Sequence, residues 1–147
     1  MPLSLTVAAW LLGDVLGPHS EARGLSIGPD FDASRAAVEL LATAHEQRVA
    51  LLVMGDGSAR RSVTAPGYLD ERAVAFDAEV EKALRDGDAN ALESLDAELG
   101  RDLLAAGVPA WRVTGGLFAD GPIRAELSYA DDPFGVAYFV ATWTASG

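Results

Sequence analysis

At 147 residues the chain has the length of one ordinary domain, enough to bury a core without disulfides or metal staples. Its 22 Asp and Glu outnumber 11 Lys and Arg, and a formal charge of −11 repels phosphate backbones and anionic lipid, which argues against nucleic-acid and membrane-surface partners. The absence of cysteine excludes disulfides, thiolate catalysis and Cys-ligated zinc, and suits a cytoplasmic setting.

In chain order, Leu3 to Leu16 is apolar but short for a membrane span, is interrupted by Gly13 and Asp14, and lacks the basic start of a secretory signal. Leu5, Ala8, Ala9, Leu12 and Leu16 recur at helical spacing, so a buried helix is expected, ended by Gly17-Pro18. Leu25-Ser26-Ile27 is a short strand candidate, and Pro29 to Asp32 a turn whose Asp32 caps a helix from about Ala33 to Gln47. Ala37, Leu40, Leu41 and Ala44 form its apolar face, with Arg35, Glu39 and Glu46 toward water.

Val49 to Met54 is an unbroken apolar run and reads as a strand covered on both faces, the centre of a sheet. Gly55 to Tyr68 is then a loop leaving its end, where ligands sit in open α/β sheets. A long helix follows from about Asp70 to Asp86, with Ala73, Phe76, Val80, Ala83 and Leu84 inward and Gly87 as its stop. Gly87 to Asn90 reads as a turn, Ala91 to Ala106 as two short helices hinged near Gly100, and Val108 to Leu117 as a helix with Pro109 in its first turn. Ala125 to Tyr129 and Gly135 to Thr142 read as strands joined by Asp131-Asp132-Pro133. The expected fold is a single α/β domain over residues 1–147, with a mixed, partly parallel central sheet flanked by helices and a C-terminal hairpin.

The stretch Gly55-Asp56-Gly57-Ser58-Ala59-Arg60-Arg61 concentrates glycines and charge directly after the apolar run. Asp56 can accept hydrogen bonds or hold a cation, and Arg60 or Arg61 can hold a carboxylate; Asp56 and Ser58 can equally cap and tie the loop. The spacing fits neither a Walker loop nor a dinucleotide fingerprint, and Ser58 has no later histidine to activate it. His19 and His45 are the only histidines; with an acid they could make a 2-His-1-carboxylate iron site, but nothing in their spacing shows that they meet, and a surface-loop His and a helix C-terminal His is the plainer reading. Asp70, Arg72 and Asp77 cluster at the start of the long helix, a pattern usual for a solvated charged face. The candidate ligand-binding residues are Asp56, Ser58, Arg60, Tyr68 and Arg72, with no metal ligand assigned and no cofactor expected.

Val49 to Asp88, VALLVMGDGSARRSVTAPGYLDERAVAFDAEVEKALRDGD, resembles the actinobacterial branch of the LigB-like class III extradiol ring-cleavage dioxygenase superfamily. Asp131 to Trp143, DDPFGVAYFVATW, looks like the closing hairpin of that branch, and Pro2 to Leu12, PLSLTVAAWLL, like its mid-chain helix. The resemblance implies non-haem iron(II), held by two histidines and a glutamate, cleaving catechol-type rings with dioxygen. It places the first ligands in an N-terminal segment that this chain starts after, and a histidine in a D-x-S-H loop where this sequence has Ala59. Alanine cannot transfer a proton, so the expectation is a non-catalytic or truncated relative, shorter than the full family domain, that binds a small acidic or phenolic ligand or acts as a scaffold. The alternative is an Fe(II) extradiol dioxygenase whose site recruits His19, His45 and an acid such as Glu126 from two subunits. Without the N-terminal strands the sheet keeps an unpaired edge, so a homo-oligomer is expected.

Overall fold

The computed structural model describes residues 2–13, 15–17, 22–28, 32, 35–36, 39–40, 49–119 and 121–145. Helix α1 is Leu3–Gly13, α2 Arg72–Asp86, α3 Ala89–Glu93, α4 Ala97–Asp102 and α5 Val108–Leu117, followed by strands β1 Ile123–Asp131 and β2 Tyr138–Ala145. The chain thus combines helices with an antiparallel two-stranded sheet. Most of the expected helix from Ala33 to Gln47, the turn at Pro29, Pro18, and both histidines lie outside the described residues. What is described of that helix agrees with its cap, because the Arg35 amide donates to Asp32 Oδ1 at 3.1 Å.

The core is built on α2. Ala73, Phe76, Val80, Ala83 and Leu84 repeat at helical spacing, and all five are buried against Leu92, Leu95, Leu103, Val108 and Trp111. Gly87 ends the helix at φ +68°, where an L side chain would be strained, and its amide donates to the Ala83 carbonyl. The next break falls at residues 94–96 rather than at Gly100. Asp96 sets it by accepting hydrogen bonds from the Glu98 and Leu99 amides at 2.9 Å, so α4 starts there and Gly100 lies inside it. Gly115 lets α5 close onto α3, since a Cβ there would stand 2.5 Å from the Ala89 carbonyl oxygen.

The hairpin covers the same core and is longer than the sequence suggests. Its register runs from Ile123 opposite Ala145 to Asp131 opposite Tyr138, with an irregularity between Leu127 and Tyr129 that leaves Ser128 unpaired in the ladder. Phe139 packs edge-on against Trp111 at 5.9 Å and Trp143 against Phe118 at 5.6 Å. The Trp143 indole N–H donates to the Leu84 carbonyl at 2.8 Å, joining sheet to helix.

Two expectations are corrected. Val49 to Met54 forms no strand among the described residues; it runs unpaired with Val49, Leu51, Leu52 and Val53 exposed, and Leu25 to Ile27 likewise joins no ladder. A doubly covered strand needs a neighbour on each edge and a layer on each face, and the described residues supply neither here. Helix α1 forms but ends at Gly13, short of Gly17; of the expected stripe Ala8 is buried and Leu5 and Leu12 half-buried, whereas Ala9 and Leu16 are exposed, as are Leu3, Trp10 and Leu11, so it is not a buried helix. Its inner face meets the 22–28 segment, where Leu5 lies against Gly24.

Candidate functional site

The loop from Gly55 to Tyr68 is clamped along its length. Gly57 N–H donates to the Ala137 carbonyl at 2.8 Å and Ala137 N–H to the Ser58 carbonyl at 2.9 Å, which ties the loop to the hairpin. On its other side, Ala59 N–H donates to the Leu103 carbonyl and Gly107 N–H to the Asp56 carbonyl, tying it to the connection between α4 and α5. Gly57 is required, because a Cβ there would come within 2.7 Å of Ala137 Cβ and 3.0 Å of Asp77 Oδ1.

Beneath this loop lies a buried polar network. Ser58 is fully buried; its hydroxyl donates to Asp77 Oδ2 at 2.5 Å and its amide to Asp77 Oδ1 at 2.9 Å. Arg61 stands 3.5 Å from Asp77 and donates through Nε to Asp132 in the hairpin turn at 2.5 Å. Burial pushes the Asp77 carboxyl above its ordinary value, against the opposing pull of the Ser58 bonds and the Arg61 charge. The network consumes the Ser58 hydroxyl, leaving that side chain as a tie between loop and helix rather than a surface on which a ligand could rest.

The other candidates divide between two places. Arg72 clamps Asp70 through its side chain at 2.8 Å and 3.0 Å and through its amide at 3.0 Å, which holds the Asp70 carboxyl down at about 2, and it also reaches Asp102 at 3.3 Å. Arg60 lies beside them: its carbonyl accepts from Asp70 N–H, its Cγ covers Gly67, and its Nε is buried without a hydrogen-bond partner among the described residues. Tyr68 follows, exposed and at φ +60°. Asp56 stands apart at the α4–α5 connection, exposed as a residue, with the protein around its carboxyl raising its pKa. Among the described residues no hydrogen bond or ion pair joins Asp56 to Arg60, Tyr68 or Arg72.

Asp77 and Asp132 were not singled out as partners by sequence reasoning. A signal existed for Asp77, which falls at the i+4 position from Ala73 and three before Val80, on the buried stripe and not on the solvated face expected for it. Asp132 had none beyond its place in a turn, since its partner lies 71 residues away.

Glu126 is exposed on β1, and no group of three His, Cys, Asp or Glu that could hold a metal occurs among the described residues. His19 and His45 lie outside the described residues, and Ala59 offers no titratable group at its place in the loop. No helix among the described residues is long and apolar enough to cross a membrane. Comparison with family models, curated proteins and solved structures returns no match to this chain.

Proposed function

We propose that this chain is a non-catalytic, LigB-like binding scaffold that assembles with a second copy of itself through two uncharged segments of its N-terminal part, Leu3–Gly13 and Val49 to Met54. The observation carrying this reading is the run at Val49 to Met54, which has no backbone pairing among the described residues and exposes Val49, Leu51, Leu52 and Val53. Such an edge is a template for another strand. A chain of net charge −11 repels its own copy, and the repulsion is least where charge is absent, as in Leu3–Gly13 and Val49 to Met54.

Two-fold pairing would bring the same run from both copies together. Leu25 to Ile27, earlier in the chain, would supply a parallel neighbour through a right-handed crossover made by the helix expected from about Ala33 to Gln47, completing the mixed, partly parallel sheet. The clamped loop offers Arg60 and Tyr68 to a small acidic or phenolic ligand, with Arg72 at its margin. A cytoplasmic setting accords with the lack of cysteine.

Equilibrium sedimentation of the full chain tests the assembly, with self-association expected at micromolar concentration and loss of it in Leu52→Lys. A monomer at every concentration would remove the scaffold reading. Anaerobic ferrous loading tests the non-catalytic part: stoichiometric iron with oxygen uptake on catechols would replace it with the dioxygenase alternative.

A further inference from the structure

A cavity of about 450 Å³ lies between α4, α5 and the 22–28 segment, away from the buried Ser58–Asp77 network. Its walls are apolar, with Ile27, Leu104, Val108 and Pro109 among them, and two cations, Arg101 and Arg112, also line it. Gly100 shapes the floor, because a Cβ there would meet Val108 Cγ2 at 2.8 Å and push the two helices apart. Leu104 forms part of the wall at φ +57°, a conformation that glycine would adopt without strain, and remains 47% exposed. A leucine in that conformation keeps an apolar side chain at the cavity where glycine would leave none.

The two arginines set the chemistry. Arg112 is half-buried and held by its Nε bond to the Glu93 carbonyl at 2.9 Å, and no ion pair to a carboxylate is found among its contacts with described residues. Among the described residues the ion pair of Arg101 is a 3.8 Å contact with Glu98, whose side chain is almost fully exposed. Elsewhere Arg35, Arg61, Arg72, Lys82 and Arg85 are each matched to nearby carboxylates, while Arg23, Arg60 and Arg124 have no ion pair among the described residues but line no apolar cavity with a second cation. In so acidic a chain, two guanidiniums at one apolar cavity form a local positive site against the prevailing charge.

We propose that this cavity binds a monocarboxylate with an apolar body, its carboxylate held by Arg101 and Arg112 and its body against Ile27, Leu104, Val108 and Pro109. A planar guanidinium matches a carboxylate through paired N–H bonds, and a pocket of this size with apolar walls and a few polar groups suits a small organic ligand. The body is either aliphatic or aromatic, since both bury apolar surface. Ile27 is shared with the segment assigned to the assembled sheet, so the titration is run on Leu52→Lys as well as on wild type, and a failure to bind in both leaves the scaffold reading to sedimentation alone.

Calorimetric titration of the full chain with decanoate and with 4-phenylbutyrate tests the proposal, with decanol as the uncharged comparator. Saturable one-to-one binding of at least one acid is expected, weakened about tenfold by Arg101→Gln, by Arg112→Gln and by exchange of the carboxylate for a hydroxyl. Ala106→Trp, at an exposed lining position, should abolish it by filling the cavity. The preferred acid identifies the body as aliphatic or aromatic. No saturable binding of either acid, or decanol binding as tightly as decanoate, would overturn the proposal. Should Arg112→Gln lose its far-ultraviolet dichroism, Arg101→Gln and the acid-to-alcohol comparison decide the matter.

Discussion

Asp77 bears more of the loop's architecture than any other single side chain described. It accepts both Ser58 donors inside the protein, so Asp77→Ala would strand a buried amide and hydroxyl and should cost about 3 kcal/mol in chemical denaturation. Its pH signature is equally specific. Because burial raises its pKa above 3.8, the folded chain holds this proton more tightly than the unfolded chain. The contribution of this group to stability is therefore full below the unfolded value and falls as pH rises through the folded one. Asp77→Asn cannot ionise, so its melting temperature relative to wild type should climb as pH rises above 3.8. Asp70 has the opposite sign: held at about 2 by Arg72, it contributes stability above pH 3.8 that is lost on acidification toward 2. Asp70→Asn should flatten the melting curve's dependence across that acid range.

At the scale of elements, α2 and the α3–α5 contact carry the fold. Phe76 is 2% exposed in the centre of the core, and Phe76→Ala should cost about 3–5 kcal/mol, read from the denaturation midpoint. Gly115→Ala should cost about 1–3 kcal/mol, since the new methyl would meet the backbone of α3 at Ala89 and Glu93 and neither can rotate aside. Helix positions were legible because burial of one stripe imposes a period of 3.6 whatever the stripe packs against. The break between α3 and α4 is not legible at Gly100, because a glycine in a helical stretch suggests a hinge. Gly100 instead serves close packing against Val108, while the cap at Asp96 makes the break.

For the whole molecule, the division between its two halves is the main feature. Residues from Gly55 onward build a core of helices and hairpin, whereas α1 and the run at Val49 to Met54 leave large apolar side chains exposed. Self-association through that half predicts that Leu52→Lys yields a monomer whose core stability is unchanged, because Leu52 takes no part in that core. Sedimentation and thermal melting on the same sample separate the two effects.

By itself the sequence determined what local periodicity and local chemistry dictate: the inward face of α2, the Gly87 stop, the span of α5, the cap at Asp32 and the hairpin. Only the tertiary structure decided which charges are buried, which of the loop residues face inward, and whether an apolar run finds a sheet to join. Each of those depends on partners far along the chain, as with Ser58 and Asp77, Arg61 and Asp132, or the two arginines that line one cavity. Hydrophobicity records that a side chain favours burial; the surface that buries it is supplied by the rest of the fold.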